Sequence, residues 1–231
     1  MIEYQELNVE LQPTNNNILD FAILLNGNVK VTERLLYSIK YCRIIAADGG
    51  IHHAKKLGVI PELWIGDFDS IDSTLLKQWS SIKRIFYSPN KDMSDGEITV
   101  HKALQLGAKN ITLVGAISGE RFDYSLQHLQ LAISLKKNKF NVILTSGIEE
   151  AFILMPGKHY FDLPERSFFS IVAFKNIENI TITGAKYTLS KSSLSIGDSH
   201  AISNVVKKNL TIIFDKGLAV LISRPYDIQR I

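Results

Sequence analysis

Short apolar runs alternate with helical patterns from residue 18 to about residue 146, and this alternation limits the possible folds more than any other feature. A strand followed by a helix and another strand favours parallel pairing with helices packed on the sheet. We therefore predict an α/β fold with a Rossmann-like, mostly parallel sheet covered by helices on both faces. The predicted strands are 18–25, 43–47, 63–66, 84–87, 111–114 and 141–144, and the predicted helices are 31–40, 51–57, 94–106 and 121–136, with one further helical stretch ending at Trp79.

The pattern changes after about residue 146. Helical periodicity disappears, and short runs rich in β-branched and aromatic residues follow at 168–174, 177–183, 210–214 and 218–222. Such runs, separated by glycine, asparagine and proline, are typical of a small all-β domain. The sequence therefore predicts two domains, an α/β domain at 1–150 and an all-β domain at 151–231.

Composition excludes several classes of protein. The chain has 26 Lys and Arg against 23 Asp and Glu, and no basic segment is long enough to follow a nucleic-acid backbone. Its single cysteine, Cys42, excludes an internal disulfide and a cysteine-rich zinc site. No apolar run approaches the roughly 20 residues that span a bilayer, and the first residues do not resemble a secretory signal. We therefore expect a cytoplasmic protein without nucleic-acid or membrane partners.

Polar clusters follow four of the predicted strands, where an open parallel sheet binds its ligands. The first cluster is Asp48-Gly49-Gly50. Two glycines would let the backbone approach a ligand closely, and they precede a helix whose first amides favour anions. The alternative is an ordinary strand-to-helix turn in which Asp48 caps the helix.

The second cluster is Gly66-Asp67-Phe68-Asp69-Ser70. Asp67 and Asp69 would face the same way in an extended chain, and two adjacent carboxylates repel each other unless a cation joins them. Mg²⁺ suits such oxygen ligands and usually retains waters and substrate phosphates. The alternative is that Asp69 or Ser70 only caps the following helix.

The third cluster is the segment from Asp92 to Glu97. Ser94 and Glu97 fit a capping box, which is a structural explanation for those two residues. A cap needs neither Asp92 nor Asp95, so these carboxylates are candidates for further metal ligands or for contacts to a metal-bound water.

The fourth cluster is the segment 115–123. Its glycines could present backbone amides to phosphate, and Arg121 could add a planar set of donors. The alternative is a loop in which Arg121 and Asp123 form a purely structural pair. The segment matches neither the Walker pattern nor Gly-x-Gly-x-x-Gly, so ordinary P-loop and dinucleotide sites are not indicated.

In this order, the clusters resemble the motifs of the thiamine pyrophosphokinase family. Gly66-Asp67-Phe68-Asp69-Ser70 is identical to a family motif, and the all-β part adds similar segments at 184–187 and 194–204. The remaining family-like segments are Ala47-Asp48-Gly49-Gly50, Asp92-x-Ser94-Asp95-x-Glu97 and Gly119-Glu120-Arg121-Phe122-Asp123. The chain departs from the family pattern at Glu120, Tyr124, His128 and Ala201.

The resemblance implies transfer of a diphosphate group from ATP to the hydroxyl of thiamine, with Mg²⁺ as cofactor. It also implies a sandwich-like C-terminal domain and a homodimer that binds thiamine at its interface. The catalytic candidates are Asp48, Asp67, Asp69, Asp92 and Asp95, and Asp67, Asp69 and Asp95 are the candidate Mg²⁺ ligands. The ATP and phosphate candidates are Gly49, Gly50, Ser118, Gly119 and Arg121, and the thiamine candidates are Asp123, Tyr187, Ser203 and Asn204.

Two other functions fit parts of the pattern. Asp67-Phe68-Asp69 is similar to the Asp-x-Asp of haloacid-dehalogenase phosphatases. That family has the pair after its first strand, whereas here two other strands precede the strand that the pair follows. A binding protein that senses thiamine or nucleotide without turnover is the second alternative, and Glu120 and His128 are the residues that favour it.

Overall fold

A computed structural model describes residues 19–69, 71–88 and 92–229. The elements of the first part are β1 Asp20–Leu24, α1 Glu33–Ile39, β2 Arg43–Ala47, α2 His52–Leu57, β3 Leu63–Gly66, α3 Ser73–Gln78, β4 Lys83–Phe86, α4 Asp95–Gln105, β5 Asn110–Val114, α5 Phe122–Lys137 and β6 Asn141–Thr145. A single 3₁₀ turn, Asp48–Ile51, joins β2 to α2. These elements end within about two residues of their predicted bounds.

The first six strands lie side by side in the order β4-β3-β2-β1-β5-β6, and all five of their pairings are parallel. The chain runs outward from β1 through β2, β3 and β4, and then returns to the other side of β1 with β5. The carboxyl ends of β1 and β5 therefore form the point where the strand order reverses, which is where open sheets of this kind bind ligands.

Helices cover both faces of this sheet because successive strand residues point to opposite sides. Phe21 and Ile23 face a core formed with α4 and α5, whereas Ala22 and Leu24 face a core formed with α1 and α2. Thr32 caps the start of α1, and Gly58 ends α2 in the left-handed conformation that glycine favours. The α/β class is confirmed.

The rest of the described chain consists of strands: β7 Glu150–Leu154, β8 Gly157–Phe161, β9 Ser167–Ala185, β10 Leu189–Leu194, β11 Asn204–Phe214 and β12 Lys216–Ile228. They continue the same sheet, because β7 pairs with β6 on one side and with β12 on the other. Both of these pairings are antiparallel, so the complete 12-stranded sheet is mixed.

Two predictions for this part were wrong in detail. The runs 168–174 and 177–183 are one strand of 19 residues, β9. The polar residues between the two predicted runs lie where the pairing with β12 shifts register, between Lys175 and Glu178, and the strand continues through them. The predicted runs also leave out β7, which is mostly buried, and β8 and β10, which are mostly exposed and so lack an apolar run.

Within residues 19–69, 71–88 and 92–229, every helix is too short or too polar to span a bilayer.

Candidate functional site

A cleft of about 510 Å³ lies at the carboxyl ends of β1, β2 and β5. Its walls come from the loops after these strands and from the first turns of α4 and α5. Three of the four predicted clusters contribute to the lining, through Asp48, through Ser94 to Gly96, and through the segment from Gly115 to Arg121. The topology therefore brings together segments that are far apart in the sequence.

The loop after β1, Asn26-Gly27-Asn28, also lines the cleft, and the sequence analysis missed it. Asn28 N donates to Ser118 O at 2.9 Å, and Ser118 Oγ donates to Asn28 O at 2.7 Å, so this loop is joined to the loop after β5. A side chain at Gly27 would collide with the carbonyl oxygens of Gly115 and Ser118. The signal was available, because this polar triplet directly follows a buried strand.

The pKa of Asp48 depends on the charges of several other acidic residues. Burial raises its pKa, the Gly49 amide opposes that rise, and the negative charges of Asp95, Asp67 and Asp69 raise it further. Asp67 and Asp69 of the second cluster and Asp95 of the third are therefore within electrostatic reach of Asp48. Its backbone has a φ of 41°, in the region that glycine favours, and its carbonyl oxygen accepts a hydrogen bond of 2.8 Å from Trp64 Nε1.

Gly49 and Gly50 are buried and do not line the cleft. A side chain at Gly50 would collide with Leu24 O, and one at Gly49 would meet the Asn26 side chain at 2.6 Å. Close packing of the turn against β1 is therefore one reason for these glycines. Their contact with ATP stays a prediction.

Asp67 and Asp69 lie on a turn. Phe68, between them, has a φ of 60°, so the extended chain assumed in the sequence analysis is wrong at this point. Asp67 is half-buried, Asp69 is exposed, and Asp69 N donates to Asp67 Oδ1 at 3.3 Å. Asp72 caps α3 by accepting from Thr74 N at 3.0 Å, so Asp69 does not have that role. Ser70, the other candidate cap, lies outside the described residues.

The start of α4 shows one half of the predicted capping box. Ser94 Oγ accepts from Glu97 N at 3.3 Å, whereas the Glu97 carboxylate lies 4.0 Å from His101 Nε2. Asp95 is half-buried and lines the cleft, and Asp92 is exposed and does not line it. Within residues 19–69, 71–88 and 92–229, no three His, Cys, Asp or Glu side chains are close enough together to hold a metal ion.

Arg121 and Asp123 form a two-pronged ion pair, with Nε–Oδ1 and Nη2–Oδ2 distances of 3.0 and 2.6 Å. The hydrogen bond from Arg121 lowers the pKa of Asp123, and the same bond raises that of Arg121. The Arg121 guanidinium also lies 4.6 Å from the Tyr124 ring centroid. The structural pair considered as an alternative therefore exists, on the exposed rim of the cleft, with Gly119 and Glu120 exposed beside it.

His128 lies on the floor of the cleft and is 7% exposed. Its Nδ1 is 3.0 Å from Ala116 O, and because a carbonyl oxygen only accepts, Nδ1 carries the proton. Burial lowers the pKa of His128, which favours the neutral ring. The histidine thus anchors α5 to the loop after β5.

The predicted thiamine residues of the C-terminal part do not line this cleft. Asn204 is buried and binds the Tyr187 backbone twice, by accepting from Tyr187 N at 3.0 Å and by donating to Tyr187 O at 2.7 Å. The Tyr187 ring is 57% exposed. Ser203 is exposed with a φ of 53°, and its amide donates to Ser170 Oγ at 3.0 Å. Ala201 is completely buried.

Comparison with known proteins gives consistent results. The chain matches the family model described as "Thiamin pyrophosphokinase, catalytic domain" over residues 35–144, and "Thiamin pyrophosphokinase, vitamin B1 binding domain" over 158–219. A thiamine pyrophosphokinase of Bacillus subtilis (strain 168) is 27% identical over 191 residues, which cover 80% of this chain and 89% of that protein.

Solved structures share the fold. The B. subtilis thiamine pyrophosphokinase crystal structure has a TM-score of 0.80 at 24% identity, covering 89% of this chain and 98% of that one. Thiamin pyrophosphokinase from Geobacillus thermodenitrificans gives 0.75 at 22%, with 89% and 97% covered, and that from Candida albicans gives 0.72 at 19%, with 94% and 95% covered. Both domain models of one enzyme match in order along most of the chain, which therefore belongs to the thiamin pyrophosphokinase family.

Proposed function

We propose that this protein transfers the diphosphate group of ATP to the hydroxyl of thiamine and releases AMP. Membership of the family makes the chain a thiamine pyrophosphokinase, a transferase that uses ATP as co-substrate. The observation that supports a particular site for this reaction is the set of negative charges around Asp48. Asp67, Asp69 and Asp95 all raise its pKa, beside a cleft whose volume suits a small-molecule ligand.

Asp67, Asp69 and Asp95 are the proposed Mg²⁺ ligands, with Asp48 and Asp92 nearby. The negative charges of all three raise the pKa of Asp48, a bound cation would offset such repulsion, and all of their donor atoms are the carboxylate oxygens that Mg²⁺ prefers. Mg²⁺ commonly takes only one or two carboxylates and fills its shell with waters and substrate phosphates. A site that is completed only when ATP arrives therefore fits these residues. Bound there, the metal would neutralise charge on the phosphate oxygens.

In the proposed reaction, the thiamine hydroxyl attacks the β-phosphorus in line with the bond to the departing AMP oxygen. The new bond joins the thiamine oxygen to the β-phosphorus, and the bond from that phosphorus to the α,β-bridging oxygen breaks. The hydroxyl proton passes to a nearby carboxylate, for which Asp92 and Asp95 are the candidates. Because such transfers depend mainly on positioning and electrostatics, the protein's part is to hold both substrates in line.

The phosphate contacts proposed are the Gly49-Gly50 turn, the amides near Ser118 and Gly119, and the Arg121 guanidinium. Arg121 would exchange Asp123 for a phosphate oxygen. An exposed ion pair contributes little to stability, so this exchange would cost little. Asp123, released from Arg121, could then contact thiamine.

The C-terminal candidates, Tyr187, Ser203 and Asn204, are proposed to bind thiamine in a homodimer whose interface contains the site. None of the three lines the cleft, which supports a contribution from a second subunit. The exposed Tyr187 ring would contact the ligand, and Asn204 would fix the backbone that carries it. We also propose a domain boundary near residue 150, a sandwich-like C-terminal domain and a cytoplasmic location. The catalytic-domain match ends at residue 144 and the vitamin B1 binding-domain match begins at residue 158, which supports that boundary.

The experiment that tests the reaction is turnover with ATP, MgCl₂ and thiamine, with AMP and thiamine diphosphate both quantified. Equal yields of the two products, lost on adding a chelator, are expected. ADP with thiamine monophosphate would identify a phosphoryl kinase instead. Binding of both substrates without any product would favour a sensor, and Glu120→Gly would then be the first reversion to test.

A further inference from the structure

Trp64 contacts two turns near the cleft, the turn that carries Asp48 and the turn that carries Asp67 and Asp69. It is completely buried in β3, in the core formed with α1 and α2. Its Nε1 donates to Asp48 O at 2.8 Å. Its ring meets the Phe68 ring edge to face, with centroids 5.0 Å apart and an interplanar angle of 87°. One side chain thus supports the turn that carries Asp48 and the turn that carries Asp67 and Asp69.

Both points of contact are residues whose backbone needs support. Asp48 and Phe68 have φ angles of 41° and 60°, in the left-handed region that is unfavourable for most residues with a side chain. The Trp64 hydrogen bond restrains the peptide that follows Asp48. The ring contact restrains Phe68, which is the residue between Asp67 and Asp69.

We infer that Trp64 is a positioning residue, which holds the Asp48 turn and the Asp67–Asp69 turn in one fixed arrangement for the binding of Mg²⁺ and ATP. The inference rests on the proposed function of these aspartates and adds to it a residue that does not line the cleft. Phenylalanine at this position would retain an aromatic ring against Phe68 but could not donate to Asp48. Fixing the surroundings of metal ligands typically contributes about 10- to 100-fold to metal affinity or activity.

The chain offers a matched control, because Trp79 is its only other tryptophan. Trp79 packs against the same core, and its Nε1 has no hydrogen-bond partner in the described part of the chain. We expect Trp64→Phe to raise the Mg²⁺ concentration for half-maximal thiamine diphosphate formation about tenfold, and to lower kcat. Trp79→Phe removes the same atoms and should leave both values nearly unchanged. Equal Mg²⁺ dependence of the two variants would overturn the inference.

A second readout does not require turnover. In the Trp79→Phe protein, Trp64 is the sole tryptophan, and its emission is expected to change when MgCl₂ and ATP are added without thiamine. Unchanged emission at saturating concentrations would contradict the inference. If wild-type protein makes no thiamine diphosphate but this emission change occurs, the proposed function fails while the positioning role is supported.

If Trp64→Phe does not fold, Phe68→Leu tests the same link from the other side. Phe68 is half-buried and packs against the same core, and leucine removes its ring contact with Trp64 while keeping an apolar side chain there. A rise in the Mg²⁺ requirement, smaller than tenfold, is expected in a protein with a normal thermal transition. A wild-type Mg²⁺ requirement in this variant would overturn the inference.

Discussion

Arg34 Nε lies 2.6 Å from Glu150 Oε1, and this ion pair joins the first helix of the α/β part to the first strand beyond β6. Glu150 is 8% exposed, and its second oxygen accepts from Ser223 Oγ on β12 at 3.3 Å. Arg34 also donates to Asp162 O at 3.1 Å. The pair is therefore a connection among α1, β7 and β12 that fixes the helix against the second half of the sheet.

Removing this connection should destabilise the protein. Arg34→Met keeps the apolar stem but leaves the Glu150 carboxylate buried without its cation, so we expect a loss of about 1–3 kcal/mol in the free energy of unfolding. Lys216→Met is the control, because the Lys216–Glu178 pair is exposed and such pairs contribute about 1 kcal/mol or less. Urea unfolding measures both. Equal losses for the two variants would contradict this ranking.

Two buried histidines should make stability depend on pH. Burial lowers the folded-state pKa of His53 and of His128 from an ordinary value of 6.5. The unfolded chain therefore binds more protons as the pH falls below 6.5, and the free energy of unfolding should decrease there. His53→Gln and His128→Gln should each flatten this decrease. The exposed neighbour His52 is the control, and an equally flat profile for His52→Gln would show that the effect has another origin.

Asp48 should show the opposite dependence in protein freed of metal by a chelator. Burial and the neighbouring carboxylates raise its folded-state pKa above the ordinary 3.8, so ionised Asp48 opposes folding as the pH rises above that value. Asp48→Asn should therefore unfold at higher urea concentration than wild type at pH 7, and the gain should vanish at the acidic end. The same variant should lose most of its transferase activity. A less stable Asp48→Asn at pH 7 would disprove the assigned cause.

Gly27 should be more sensitive to substitution by alanine than its neighbour Asn28. A methyl group there would collide with two backbone carbonyl oxygens, Gly115 O and Ser118 O, and overpacking of this kind costs about 1–3 kcal/mol. Asn28→Ala keeps both hydrogen bonds of the Asn28 backbone, one donated to Ser118 O and one accepted from Ser118 Oγ, and should change stability by about 0.5 kcal/mol or less. Urea unfolding and ATP affinity measure the two effects. A tolerated Gly27→Ala would mean that these loops separate easily.

Kinetic measurements can distinguish a role of the Arg121–Asp123 pair in substrate binding from a purely structural role. If the proposed contacts form, Arg121→Lys should lower kcat/KM for ATP about tenfold, because lysine lacks the planar set of donors. Asp123→Asn should instead act mainly on the KM for thiamine. Both side chains are exposed, so neither variant should shift the thermal transition appreciably. Unchanged kinetics in both would leave the pair a structural feature of the loop.

The α/β part was predictable because its signals are local. Each buried strand is visible in the sequence as an apolar run, and each capped helix as a helical period of apolar residues. Because ligands bind at the carboxyl ends of parallel strands, the clusters after β2 and β5 could then be assigned to one cleft. The loop after β1 was missed although the same rule applies to it. The turn at Phe68 was missed because the left-handed backbone depends on tertiary contacts, including the Trp64 ring, that no local pattern contains.

The β part was harder to predict from the sequence. A strand that shifts register in its polar middle, such as β9, has the same local pattern as two strands with a turn. The exposed strands β8 and β10 are stabilised by their partners rather than by burial of an apolar face. The position of β7 between the two halves of the sheet depends on its pairing with β6 and β12, and no local sequence pattern predicts these pairings.

The antiparallel strand β7 also determines where the protein can be cut. Because it separates β6 from β12, removing everything after residue 150 would expose the length of β6 as a bare sheet edge, and removing everything before it would expose β7. Bare edges of this kind recruit other chains and promote aggregation. Division at the compositional boundary should therefore yield two insoluble fragments. Keeping β7 and β12 with the first half would only move the bare edge to β12, which pairs with β9 from Lys216 to Arg224 in the whole protein.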